Sequence, residues 1–196
     1  GGVYCFSRAE KKLLQVIPNA KEGAIASLRF AANDRFVAVG TSKGCVIVIE
    51  HNLDNLKIRP KRVRVSTEIH KGSQVAHLVW DDMSGRIFSA DAAGKVACIV
   101  VEAARYQGGG SGSGGSFGGD VSQVLSQTNK MLSSTAGKLA RNLAGTGALM
   151  HEAEDAIVQI DYKNGLLLIS TVKRVELLDV ASDEIVPVGT KARNAE

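Results

Sequence analysis

Two stretches decide the fold of this chain. They are Ala24-Ile25-Ala26-Ser27-Leu28-Arg29-Phe30 and, fifty residues on, Gln74-Val75-Ala76-His77-Leu78-Val79-Trp80. Sliding the chain by 50 residues superimposes 24–49 on 74–99 without a gap. Ile25 falls on Val75, Leu28 on Leu78 and Phe30 on Trp80. Val37 then meets Ile87, Gly44 meets Gly94, Val46 meets Val96 and Ile49 meets Ile99. Each copy has an alternating apolar run, a polar turn (Ala32-Asn33-Asp34 or Asp82-Met83-Ser84-Gly85), a second apolar run, a Gly turn and a third run. Alternation at period two with frequent turns predicts antiparallel strands. The Gly before each third strand suits a hairpin turn that needs positive φ.

Partial copies flank these two. Gly1-Gly2-Val3-Tyr4-Cys5-Phe6 matches Gly44-Cys45-Val46-Ile47-Val48-Ile49, so the chain opens at the last hairpin of an earlier unit. Ile157 to Tyr162, Leu166 to Thr171 and Val175 to Asp179 form a later copy. A unit of about 40–50 residues with three or four strands predicts an all-β fold, a β-propeller blade of the WD40 kind. Such blades must stack on neighbours to bury their faces. The alternative is a generic β-sandwich, against which the gapless register weighs. Two whole units and two partial ones, about 3–4 blades, read as an open arc of a larger ring. The opening Gly1, with no Met, reads as the start of a fragment.

The expected organisation is blades over 1–107, a linker over 108–119, an inserted amphipathic helix over 120–150 and a further blade over 151–196. Residues 108–119 hold eight of the chain's 21 glycines and read as a flexible Gly/Ser linker, natural or engineered. Asp120 suits a helix N-cap, and Val121, Val124, Leu125, Leu132, Leu139 and Leu143 keep a helical stripe. Three readings of that helix stay open: docking on its own propeller, binding a partner, or lying on a membrane surface.

The 196 residues carry a net charge of +4, with 44% hydrophobic residues. No run approaches the roughly 20 apolar residues of a membrane span, and no signal peptide opens the chain. Cys5, Cys45 and Cys98 are odd in number and widely spaced, which reads as buried thiols of a reducing compartment. His51, His70, His77 and His151 lack metal-ligand spacing, and no nucleophile elbow or phosphate-binding loop is present. No enzyme, cofactor, metal site or small-molecule substrate is expected.

Two constellations stand out. His70 lies ten residues before Trp80, and Ser89 and Asp91 precede Gly94. This Ser/His/Asp trio invites a hydrolase reading, but the expectation is a hydrogen-bond set within one blade. The second is Lys57, Arg59, Lys61, Arg62 and Arg64, five cations in eight residues. Without it the net charge would be 4 − 5 = −1. It is expected on an outer fourth strand or the loop into it. Its readings are a solvated edge, an acidic partner or an anionic lipid surface. Nucleic acid is not expected, because no aromatic residues interleave for base stacking.

Some of these residues resemble a known family. Ile69 to Asp81 with Ala93-Gly94-Lys95-Val96, Glu22-Gly23-Ala24-Ile25, Val37 to Ser42 and Gly2 to Phe6 resemble the N-terminal propeller of the Hermansky–Pudlak syndrome protein 5 family. Ile157 to Tyr162, Leu168 to Thr171 and Val188-Gly189-Thr190 are similar to a related propeller, that of the tectonin β-propeller repeat-containing protein 2 family. The first resemblance implies a non-enzymatic scaffold among the subunits of a multi-subunit trafficking complex. That complex serves biogenesis of lysosome-related organelles, in the cytoplasm or peripherally on endosomal or lysosome-related membranes. The second implies a scaffold in autophagy and secretory traffic. The terminal Trp-Asp of WD-type repeats is absent, replaced by Ile49-Glu50 and Leu178-Asp179.

Overall fold

A computed structural model describes residues 2–18, 21–32, 35–52, 55, 57–101, 147–186 and 188. Fourteen strands form four separate antiparallel sheets among them. The first sheet holds two strands, β1 (Gly2–Ser7) and β2 (Lys12–Pro18). The second runs in the order β3 (Ile25–Phe30), β4 (Phe36–Thr41), β5 (Val46–Glu50), β6 (Lys61–Ser66). The third is β7 (Val75–Asp81), β8 (Arg86–Asp91), β9 (Lys95–Val100), β10 (Ala148–Glu152). The fourth is β11 (Ile157–Lys163), β12 (Leu166–Thr171), β13 (Val175–Asp179), β14 (Glu184–Val186). Each sheet is a meander of neighbours in sequence, as a propeller blade is.

The 50-residue register is visible in the pairing. Ile25 faces Thr41 and Val75 faces Asp91, and each first strand carries an irregularity at the same point, Ile25/Ser27 and Val75/His77. The fourth blade repeats it at Ile157/Gln159. The described residues thus hold three four-stranded blades and a two-stranded piece before them.

The core is three layers between sheets rather than one centre. Val37, Val39, Ile47 and Ile49 pack against Val3, Cys5 and Ile17. Phe36, Ala38, Val46 and Val48, from the same strands, pack the other way against Val75, Trp80, Ile87 and Ile99. Phe88, Ala90, Val96 and Cys98 then meet Ile157, Ile160, Leu167, Ile169 and Leu178. Period-two alternation sends successive side chains to opposite faces, and both faces of the middle blades are apolar. All six residues of β4 are buried.

Polar ties run alongside these layers. Trp80 Nε1 donates to the Arg29 carbonyl at 3.2 Å, and the Ala32 amide to Asp82 Oδ1 at 2.8 Å. Within the third sheet Asp81 accepts from Arg86 Nη2 at 2.6 Å and from Ser84, and it also hydrogen-bonds the Tyr162 hydroxyl of the fourth. The Phe88 and Tyr162 rings stack with centroids 5.0 Å apart.

β10 begins at Ala148, so the inserted stretch expected up to residue 150 ends before it. Ala148 and Met150 are buried at strand spacing and β10 pairs with β9, which makes it the outer strand of the third sheet. The Gly/Ser linker 108–119 and the helix with Val121, Val124, Leu125, Leu132, Leu139 and Leu143 lie outside the described residues.

The Gly turns sit where blades meet. Gly44 has φ +85° and Gly94 φ +101°. A Cβ on Gly44 would stand 1.8 Å from the His70 carbonyl oxygen of the next connection, and one on Gly94 2.5 Å from that of Ala153. Gly44→Ala therefore combines left-handed strain with a backbone clash, and should cost at least about 2 kcal/mol in denaturant unfolding. The control is Gly72→Ala: Gly72 also has φ +80°, but no atom within 4 Å, so it should lose measurably less.

Candidate functional site

His70 comes from the connection before β7, while Ser89 and Asp91 come from β8. Alternation puts residues 89 and 91 on one face of that strand, and the connection folds His70 over them. His70 Nδ1 lies 2.8 Å from Asp91 Oδ2 and His70 Nε2 lies 2.9 Å from Ser89 Oγ. The order Asp to Nδ1 and Ser to Nε2 is that of a hydrolytic triad. Burial denies it that use, because His70 is 2% exposed and Ser89 and Asp91 are at 0%. No substrate carbonyl can reach Ser89 Oγ without unfolding the blade. Asp91 Oδ1 instead accepts the amides of Ala93 and Lys95 at 2.9 and 3.0 Å, holding the turn that contains Gly94.

The other blades solve the same turn with a hydroxyl. Thr41 Oγ1 accepts the Cys45 amide at 3.0 Å, and Thr171 Oγ1 the Arg174 amide at 3.1 Å. Thr41, Asp91 and Thr171 thus occupy one position in three repeats, each buried and each accepting a turn amide. A buried strand end followed by a tight turn leaves an amide that needs an acceptor, and either side chain supplies one.

The basic run divides in two. Arg62, on β6, pairs with Glu22, whose carboxyl it holds below the usual range. Arg64 donates from Nε to the Val100 carbonyl at 3.1 Å, across to the next blade. Lys61 begins β6, and Lys57 and Arg59 lie in the connection before it; all three are exposed. The five cations thus differ in their surroundings, two of them held by partners and three exposed.

A groove was not anticipated. It has a volume of about 620 Å³ and lies between the ends of β3, β7 and β11, lined by Leu28, Arg29, Phe30, Val79, Trp80, Asp82, Asp161 and Tyr162 among others. Its three aromatic residues each stand five places after the start of their strand. That recurrence was legible, but alternation alone could not say that the three strands lie side by side. None of His70, Ser89 or Asp91 lines it. Among the described residues no cluster of three His, Cys, Asp or Glu could hold a metal. The three cysteines are free and buried, and burial pushes the Cys98 thiol up to about 12.

Two buried groups make the fold sensitive to acid. Burial lowers the pKa of His70 below its usual 6.5, outweighing the raising effect of Asp91. Burial raises that of Asp81, but hydrogen bonds from Ser84, Arg86 and Tyr162 outweigh it and hold the carboxyl below its usual 3.8. In both cases the unfolded chain takes up a proton that the folded chain refuses. Stability is therefore complete above pH 6.5, declines as pH falls through the His70 window, and declines again below 3.8 as Asp81 is protonated. His70→Ala should cost about 3 kcal/mol at neutral pH by removing a buried partner of Asp91. It should also flatten the upper decline in urea melts recorded at a series of pH values.

No family model matches the chain. Among curated proteins it is 30% identical over 177 residues to the human BLOC-2 complex member HPS5, covering 90% of this chain and 13% of that protein. It is 32% identical over 101 residues to the Drosophila melanogaster BLOC-2 complex member HPS5 homolog, covering 52% of this chain and 12% of the relative. The chain thus spans about an eighth of the length of the relatives it matches. Among solved structures, Saccharomyces cerevisiae Sqt1 matches with a TM-score of 0.60 at 14% identity, over 94% of this chain and 41% of that one. The WD40 repeats of RRP9 match with 0.53 at 10% identity, over 86% and 39%. The computationally designed Ika4 protein matches with 0.53 at 11% identity, over 90% and 76%. These likenesses speak to fold alone. With the three repeated blades, they show that the described residues form an arc of a WD40-type β-propeller, and the chain is similar in sequence along nine-tenths of its length to human HPS5.

Proposed function

We propose that this chain is a non-enzymatic interaction scaffold in endolysosomal vesicle trafficking, serving biogenesis of lysosome-related organelles as part of a BLOC-2-like complex. The observation that carries this reading is the 30% identity over 90% of the chain to a protein named as a member of that complex. The geometry is compatible with it. Rigid stacked sheets hold the connections between strands at their ends, and such connections are where binding residues sit on a fixed frame. The Ser/His/Asp trio of His70, Ser89 and Asp91 is sealed inside a blade, so the arc offers binding surfaces rather than that chemistry. Its partners are other protein subunits, not a small molecule or nucleic acid. It works in the cytoplasm or peripherally on endosomal or lysosome-related membranes, as its likeness to a BLOC-2 member suggests.

Affinity-tagged full-length chain should co-purify the remaining subunits of the complex from cells that make it. Phe30, 43% exposed at the groove, is the first side chain to truncate. Phe30→Ala should weaken capture by about tenfold or more if the groove seats a partner, without lowering the melting temperature by more than a few degrees. Capture of no complex subunit by the folded wild-type chain sinks the scaffold reading.

A further inference from the structure

The edge position of β6 explains Lys61, Arg62 and Arg64, since charge and a bulge on an edge strand deter pairing with other chains. β6 has both, its bulge facing Val48/Ile49. It does not explain Lys57 and Arg59, which lie outside the strand. Between them stands Ile58, 50% exposed, with its amide bonded to the Asn55 carbonyl at 3.0 Å. Asn55 in turn binds Asn52 Oδ1 through its amide at 2.7 Å. Between residues 51 and 66 there are five cations and one acid, Asp54, which lies outside the described residues.

Topology places a second apolar tip at the same end of the arc. β3 and β5 run toward that end, and so does β7, whose turn carries Met83, 88% exposed. The His51 amide bonds the Arg35 carbonyl at 3.0 Å, and the Ala32 amide bonds Asp82 Oδ1 at 2.8 Å. The basic connection is thus tied to one turn and that turn to the one bearing Met83. The opposite end has an exposed apolar side chain too, Val172 at 62%, but the cations beside it are paired. There Lys173 pairs with Asp155 at 2.7 Å, Arg174 with Glu154 at 3.3 Å and Lys71 with Glu68 at 3.9 Å. Acids are present at the basic end too: Asp82 already accepts an amide, Glu50 pairs with Arg35, and Asp161 lies in the groove.

We propose that this end of the arc, through Lys57, Arg59 and Lys61 with Ile58 and Met83, rests on an anionic membrane surface. Cations beside exposed apolar tips suit a lipid headgroup layer, where the charges meet phosphates and the tips enter the acyl boundary. An acidic protein partner would use the cations but has no need of both tips. The inference does not rest on the trafficking reading, since it needs only the geometry of this end.

Flotation with phosphatidylcholine vesicles, with and without phosphatidylserine, tests it on the full-length chain. Binding should require phosphatidylserine and fall with added salt. Lys57→Glu, Arg59→Glu and Lys61→Glu together should weaken it on the order of a hundredfold. Ile58→Ser with Met83→Ser should weaken it roughly tenfold and leave its salt dependence unchanged. All these side chains are exposed, so both variants should melt like the wild type, and circular dichroism checks that. Absence of binding to phosphatidylserine vesicles, or undiminished flotation of the triple variant, overturns the proposal. Binding that needs the cations but is indifferent to Ile58 and Met83 also overturns it, because the surface then acts by charge alone, without apolar tips entering the acyl boundary.

Discussion

In β4 and β5 the residues Val37, Val39, Ile47 and Ile49 face one neighbouring sheet, while Phe36, Ala38, Val46 and Val48 face the other. A sheet with two apolar faces exposes one of them to water unless it is flanked on both sides. That constraint organises everything else here. It makes each blade the core of the next. It also explains why the buried polar side chains Thr41, Asp91 and Thr171 all sit at one place, the end of a second strand.

The same constraint governs what the surface can do. Where sheets stack, specific chemistry is sealed in, as with His70, Ser89 and Asp91. What remains open is the ends of the sheets and the inner margin where β3, β7 and β11 come together. At that margin Trp80 and Tyr162 serve two roles. Each is part of the packing between blades, Trp80 beside Phe36 and Tyr162 beside Phe88, and each lines the groove. The groove is therefore as rigid as the packing behind it.

The repeats read as blades became blades because their evidence was local. Ile25 against Val75 and Gly44 against Gly94 are positions in a strand and a turn, and period two with a positive-φ Gly is a property of a few consecutive residues. The outer strand β10 was missed for a related reason. Ala148 and Met150 give too short an alternation to be separated from the helical stripe before it. Proximity of His70 to Asp91 was expected from its resemblance to a blade's internal set, whereas the shared role of Thr41 and Asp91 was not, since the two differ in charge. Both simply offer an oxygen to an amide.

Sequence alone determined that the chain is built of stacked antiparallel blades, because alternation and turn residues are encoded one strand at a time. It also determined that its excess positive charge resides in 57–64. Tertiary structure decided which of those charges are paired. Arg62 is spent on Glu22, forty residues away, and Arg64 on the carbonyl of Val100, thirty-six residues away. It likewise decided that the triad-like trio is closed to solvent and that three aromatic side chains from three repeats share one groove. Burial and long-range pairing depend on which sheets become neighbours, and no stretch of one strand carries that information.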